Sequence, residues 1–176
     1  VARVRQLYRL PERYLLFVGT LEPRKNLKGL VAALEHMPDA PPLVVAGADG
    51  WGDTGLDDVD HVRFLGFVAS EDLSGLYGGA SVFCYPSERE GYGLPVLEAM
   101  AQGTPVVTSR GTATEETAGD AAVLVDPMDP ADIARGIEEA ELRHIELSAK
   151  GLARAQRRSW ASAAALTAAA YRELAG

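Results

Sequence analysis

Short apolar runs alternate with stretches in which apolar residues recur every three or four positions. This alternation predicts βαβ units around a parallel sheet buried on both faces. The first run covers residues 14–18 and is closed by Gly19. Leu27, Leu30, Val31, Leu34 and Met37 then keep the period of a helix that Asn26 caps and Pro38 stops. Strands follow at 43–46 and 62–65, separated by a Gly- and Asp-rich loop over 47–60. Ser70 is placed to cap a short helix with Glu71 and Asp72 at its positive end and Leu73, Leu76 and Tyr77 on its inner face. A strand over 81–85 runs into Pro86-Ser87-Glu88-Arg89-Glu90-Gly91-Tyr92-Gly93, and Pro95 falls where a helix opens and its missing N–H does no harm. Strands over 105–108 and 122–125, divided by a polar loop, precede a helix that starts at Asp129-Pro130 with Ile133, Ala134 and Ile137 on one face. The remainder reads as helical, and from about Ser159 a stripe of Trp160, Ala164, Thr167, Tyr171 and Leu174 runs among alanines.

The 176 residues are 47% apolar, enough for one core, so the pattern predicts a single α/β domain with a Rossmann-like, doubly wound parallel sheet. Residues 1–12, polar and carrying three arginines, read as a linker, which leaves the domain at 13–176 ending in a long helix. A net charge of -8 excludes a phosphate-hugging nucleic-acid binder, whose face is basic, and favours a small-molecule ligand. Cys84 is the one cysteine, so no disulfide can form within the chain and a reducing, cytoplasmic setting is the natural reading. No stretch approaches the roughly 20 apolar residues that cross a bilayer.

In doubly wound sheets, ligands bind beyond the carboxyl ends of the strands. Glu90 and Glu98 enclose seven residues there, the first acid in a strand-to-helix loop and the second about one turn into the helix. Gly91 and Gly93 bracket Tyr92 and allow close backbone approach, while the helix opening at Leu94-Pro95 aims unpaired N–H groups outward. Carboxylates suit sugar hydroxyls and N–H groups suit phosphate, which is the mixed demand of a nucleotide-sugar. Two glutamates near a helix start, taken alone, read as solvated side chains, and Lys25 beside Asn26 has the alternative of a surface charge next to a cap. Tyr92 and Phe67 read as packing aromatics whose backbones are the better ligand contacts. Asp58-Val59-Asp60 has the spacing of a metal-binding acidic pair but precedes a strand instead of following one, and His36, His61 and His144 lack ligand spacing, so no metal is expected. Gly47-Ala48-Asp49-Gly50 lacks the full glycine fingerprint of a dinucleotide turn, which disfavours an oxidoreductase.

The run Glu90-Gly91-Tyr92-Gly93-Leu94-Pro95-Val96-Leu97-Glu98-Ala99-Met100-Ala101, followed by Gly103-Thr104-Pro105-Val106-Val107, resembles the E-x7-E motif of family 4 retaining glycosyltransferases of the GT-B fold. Val18-Gly19-Thr20-Leu21-Glu22-Pro23-Arg24-Lys25-Asn26 resembles the donor-diphosphate loop of that family, and Gly119-Asp120-Ala121-Ala122 through Asp126-Pro127 its closing strand region. The resemblance spans nearly the whole chain and corresponds to the donor-binding half alone. It implies that an amino-terminal half binds the acceptor, that this chain alone completes no transfer, and that any peripheral membrane association runs through that other half. The last helix is expected to pack partly against it.

The resemblance also implies roles. Glu90 would accept hydrogen bonds from the donor hexose, Glu98 from the ribose, and Lys25 would neutralise the departing diphosphate, which makes Lys25 and Glu90 the catalytic pair. Gly19 and Thr20 would line the diphosphate loop, and backbone N–H groups around Gly91, Tyr92, Gly93 and Leu94 would reinforce Lys25. Gly66-Phe67-Val68 would meet the base through its backbone. Many relatives carry an arginine five residues before the lysine, where this chain has Thr20; either Arg24 supplies that second cation or one lysine and the helix terminus hold the diphosphate. The Gly19-to-Asn26 segment is similar to mannosyltransferase-like members, which favours a GDP-mannose-like donor over a UDP-sugar, with no obligatory metal cofactor. A non-catalytic nucleotide-sugar-binding module is the alternative.

Overall fold

In a computed structural model, residues 1–48, 56, 59–158 and 160–175 are described. Among them β1 (Leu15–Val18), β2 (Leu43–Ala46), β3 (Val62–Gly66), β4 (Val82–Tyr85), β5 (Val106–Ser109) and β6 (Val123–Val125) form one sheet in the order β3-β2-β1-β4-β5-β6. Every pairing is parallel. Every residue of β2, β4 and β5 is buried, which is why β2 and β4 are continuous apolar runs and not alternating ones, while β5 ends on the buried Thr108 and Ser109.

The chain leaves β1 toward β2 and β3, then returns to place β4 on the other side of β1, with Leu15 opposite both Leu43 and Val82. The strand order therefore reverses between β1 and β4, the topological switch point at which doubly wound folds bind ligands. Right-handed crossovers run in opposite directions from these two strands, so α2 (Leu27–Leu34) and α4 (Leu94–Ala101) lie on opposite faces. α6 (Pro130–Leu142) joins α2 on one face, where Ile133 and Ile137 are fully buried, each stabilising by about 1.5–3 kcal/mol. The other layer holds α3 (Ser70–Tyr77), α4 and α7 (His144–Arg157), with α1 (Ala2–Leu7) against α3.

The termini of these helices follow local chemistry. Asn26, in the left-handed region at φ 57°, caps α2 by accepting from Gly29 N at 3.2 Å. The helix ends at Leu34 because Glu35, His36 and Met37 each bond three residues back, a tighter turn that unwinds it ahead of Pro38. Asp129 caps α6 by accepting from Ala131 N at 3.0 Å, with Pro130 in the first turn. Ser70, expected as a cap, is instead the first residue of α3; Ala69 precedes it and offers no side-chain acceptor.

Two segments depart further from their sequence reading. Residues 1–12 contain α1, whose Val4 is buried, whose Arg3 pairs with the buried Asp72, and after which the Tyr8 hydroxyl donates to Asp72 Oδ2 at 2.9 Å. The polar loop after β5 contains α5 (Ala113–Ala118), capped by Thr112. Its buried face escapes a hydrophobic pattern because it presents Thr114 and Thr117, whose hydroxyls donate to Ser109 O and Tyr92 O. α8 (Trp160–Ala175) forms where a last helix is expected and leaves Leu166, Tyr171 and Leu174 exposed. Asp49, Gly50 and Asp58, and with them the acidic pair and the dinucleotide-like turn, lie outside the described residues. No described helix is long and apolar enough to cross a membrane.

Candidate functional site

The loops after β1 and β4 flank the switch point. After β1 the chain turns through a 3-10 turn, Pro23–Lys25, in which Lys25 N donates to Glu22 O at 3.0 Å. Two contacts clasp this turn between its neighbours. Glu88 N, from the loop after β4, donates to Arg24 O at 2.9 Å, and Asn26 Nδ2 donates to Pro127 O, beyond β6, at 2.6 Å. Gly19 lies flat against the Lys25 side chain: a Cβ there would stand 3.1 Å from Lys25 Cδ.

Lys25 is buried, only 7% exposed, and its charge must therefore be answered locally. Its Nζ donates to the Tyr85 hydroxyl at 2.6 Å and to Glu90 Oε1 at 3.2 Å. The Tyr85 hydroxyl in turn donates to the same Oε1 at 2.8 Å, and Arg24 Nη1 reaches it at 3.0 Å. Arg24 is shared with Glu22, Nε to Oε2 at 2.6 Å. The hydrogen bonds and ion pairs of Glu90 within the described residues fall on Oε1. Partial burial pushes the Glu90 carboxyl up, but the Tyr85 hydrogen bond and the charges of Lys25 and Arg24 outweigh it and hold the carboxyl below the ordinary range. Burial, reinforced by Glu90, pushes the Tyr85 phenol well above its ordinary value, so it is protonated and a donor at neutral pH.

The start of α4 forms the neighbouring wall. Gly93 is its N-cap at φ 88°, and a Cβ there would meet Thr114 Cγ2 at 2.7 Å, so both conformation and space require glycine. The Thr117 hydroxyl donates to Tyr92 O and ties the Gly91-to-Gly93 loop to α5. Tyr92 and Leu94 are exposed beside it.

The structure thus gathers Gly19, Arg24, Lys25 and Glu90 into one cluster, with the α4 N-terminus following in the same loop. Glu98 belongs to a second cluster: its Oε2 accepts from the Tyr77 hydroxyl of α3 at 2.8 Å, and it borders a cavity of about 620 Å³ with Leu94, Leu97 and Arg158. Thr20 is exposed. Gly66 ends the edge strand β3, two strands from β1, and Phe67 and Val68 follow it; Phe67 is 77% exposed, Val68 buried. Their level is fixed by Gly47 N donating to Gly66 O at 2.9 Å, next to Gly19 N donating to Ala46 O at 2.9 Å. Tyr85 was not among the residues expected here. Its signal was available: a hydroxyl-bearing aromatic at the last position of an apolar run, directly before the Pro86 loop. Among the described residues no group of three or more His, Cys, Asp or Glu side chains is placed to hold a metal ion.

Comparison with known proteins gives this site its context. The chain is 40% identical to O-antigen chain mannosyltransferase B of Escherichia coli over 187 residues, 97% of this chain and 49% of that protein. It is 33% identical to D-inositol 3-phosphate glycosyltransferase of Corynebacterium kroppenstedtii over 85% of this chain and 38% of the relative. The chain therefore spans half or less of the length of these relatives. Its fold superposes on sucrose-phosphate synthase from Thermosynechococcus elongatus with a TM-score of 0.84 at 31% identity, covering 99% of this chain and 49% of that one. Anabaena HepE, solved with UDP and glucose, shares the fold at a TM-score of 0.77 and 23% identity over 89% of this chain and 47% of HepE. These neighbours are GT-B glycosyltransferases, and the Rossmann-like sheet corresponds to one half of such a fold. Residues 3–158 match the family described as glycosyl transferases group 1, and this chain is a member of that family.

Proposed function

We propose that this chain is the donor-binding domain of a retaining glycosyltransferase that moves a hexose from a nucleotide-sugar to a hydroxyl acceptor, a mannosyl group from a GDP-sugar being the favoured donor. The observation that carries the proposal is the cluster at the switch point, where two cations from the loop after β1 meet one carboxylate from the loop after β4. A sugar diphosphate makes both demands at once. Its phosphate oxygens call for Lys25 and Arg24, and its hexose hydroxyls call for the Glu90 carboxylate. Arg24, already 3.0 Å from Glu90, supplies the second cation that Thr20 does not.

In the transfer, the bond between the anomeric carbon and the diphosphate breaks while one to the acceptor oxygen forms on the same face, and the proton of the acceptor hydroxyl passes to the departing diphosphate. Negative charge grows on the departing diphosphate. Lys25, Arg24 and the first-turn N–H groups of α4 are fixed in place before that charge appears, which is electrostatic stabilisation without reorganisation. The mechanism asks for no metal. The mannosyl preference is supported by the 40% identity to O-antigen chain mannosyltransferase B.

Calorimetry with GDP, UDP, ADP and their sugars tests the proposal. Binding of a guanine nucleotide, strengthened by its mannosyl conjugate, is expected. Absence of binding by every nucleoside diphosphate in the panel would overturn it.

A further inference from the structure

We propose that Tyr85 is a positioning residue of this site: its hydroxyl is wedged between Lys25 Nζ and Glu90 Oε1 and keeps the two from closing into a tight ion pair. Lys25 and Glu90 meet directly at 3.2 Å, longer than the roughly 2.7–2.9 Å of a charge-assisted N–H···O bond. Each makes its shorter contact with the hydroxyl, 2.6 Å from Lys25 and 2.8 Å to Glu90. The hydroxyl can serve both because it accepts with its oxygen and donates with its single proton.

The ring holds that hydroxyl in place. Tyr85 is fully buried, stacked on Phe83 at 5.6 Å and 19° and tilted against Phe17 at 6.0 Å. Phenylalanine would satisfy this packing equally well, so packing gives no reason for the oxygen. Tyr14 shows the contrasting use of a buried phenol: its hydroxyl donates to a backbone carbonyl, Leu76 O, at 2.6 Å, and touches no site residue. The groups facing Glu90 are Lys25 and Arg24 from the loop after β1 and Tyr85 from β4, with Glu22 balancing Arg24. Without the wedge, Lys25 would spend its charge on Glu90, and both would be less available to a ligand.

The binding arm of the test rests on the donor-site reading, whereas the crystallographic arm needs no ligand, so the two can fail separately. Ligand-free crystal structures of wild type and Tyr85→Phe are expected to show the Nζ-to-Oε1 distance falling to about 2.8 Å in the variant. A distance that stays at its wild-type value overturns the proposal. If Tyr85→Phe does not fold, Tyr85→Leu, which likewise removes the hydroxyl and leaves an apolar side chain in the core, must show the same shortening. In the binding arm, Tyr85→Phe should weaken nucleoside diphosphate affinity roughly threefold to tenfold, the scale of one hydrogen bond. The same substitution in a Glu90→Gln background should have almost no effect, because no carboxylate remains to capture Lys25. Equal losses in both backgrounds would mean that Tyr85 acts through general packing, and the proposal would fall.

Discussion

Lys25 Nζ stands 3.2 Å from Glu90 Oε1 although 65 positions separate the two residues. They meet because β1 and β4, which deliver their loops, are sheet neighbours on either side of the strand-order reversal. A cation and an anion held at such a point by buried strands cost little to organise when a ligand arrives, since the sheet has already fixed the loop ends.

Lys25→Ala should therefore lower affinity for a nucleoside diphosphate by roughly 1.5–3 kcal/mol, tenfold to somewhat over a hundredfold, the range for hydrogen bonds to charged groups. Arg24→Ala should cost less, because Arg24 is partly exposed and shared with Glu22. Calorimetry on both variants ranks them, and a larger loss for Arg24→Ala would reverse the roles assigned here.

The depressed carboxyl of Glu90 sets a pH signature. A group whose folded value lies below its unfolded value stabilises the fold above the unfolded value, ordinarily 4.5 for glutamate, and that stabilisation disappears as pH falls through the folded value. The stability difference between wild type and Glu90→Gln should hence be constant across neutral pH and shrink only under acid conditions. Urea unfolding midpoints at a series of pH values read this directly; a difference that changed between pH 6 and 8 would contradict it.

Gly93 is held at φ 88° with Thr114 Cγ2 2.7 Å from where a Cβ would stand. Gly93→Ala should destabilise the fold by about 1–3 kcal/mol through the combined strain and contact. Thr114→Ser removes the offending methyl while keeping the hydroxyl on Ser109 O, so it should recover part of the loss. Recovery measured by chemical denaturation separates steric conflict from backbone strain, which the second substitution leaves in place.

Much of this arrangement could be read along the chain, for reasons specific to its parts. β2 and β4 announce themselves as Leu-Val-Val-Ala and Val-Phe-Cys-Tyr because both faces of each strand are covered. Asn26 reads as a cap because its side chain is one, bonded to Gly29 N. α5 could not be read, since a helix that buries threonine hydroxyls on backbone carbonyls looks like a polar loop. α1 was hidden by its arginines, one of which, Arg3, finds its partner Asp72 69 positions away. Arg24 illustrates the same limit at the site: whether it faces Glu90 depends on how far the turn Pro23–Lys25 rotates it, which spacing alone does not determine.

The two acids of the motif make contacts so different that they should separate experimentally. Glu90 is anchored through Oε1 by Tyr85, Lys25 and Arg24, while Glu98 sits on α4 and takes a hydrogen bond from Tyr77 of the adjoining helix. If Glu98 holds the ribose, Glu98→Gln should weaken a nucleoside diphosphate and its sugar conjugate by the same factor, because the ribose hydroxyls are common to both. If Glu90 holds the hexose, Glu90→Gln should change the plain diphosphate little, while the gain from adding the correct sugar falls by roughly 1.5–3 kcal/mol, the usual range when a charged acceptor is lost. Glutamine keeps the size of the side chain, so packing around Oε1 changes least. Calorimetry with both ligands on both variants gives four affinities. A uniform loss in Glu90→Gln would show that this carboxylate serves the diphosphate loop through Lys25 and Arg24 and does not touch the sugar.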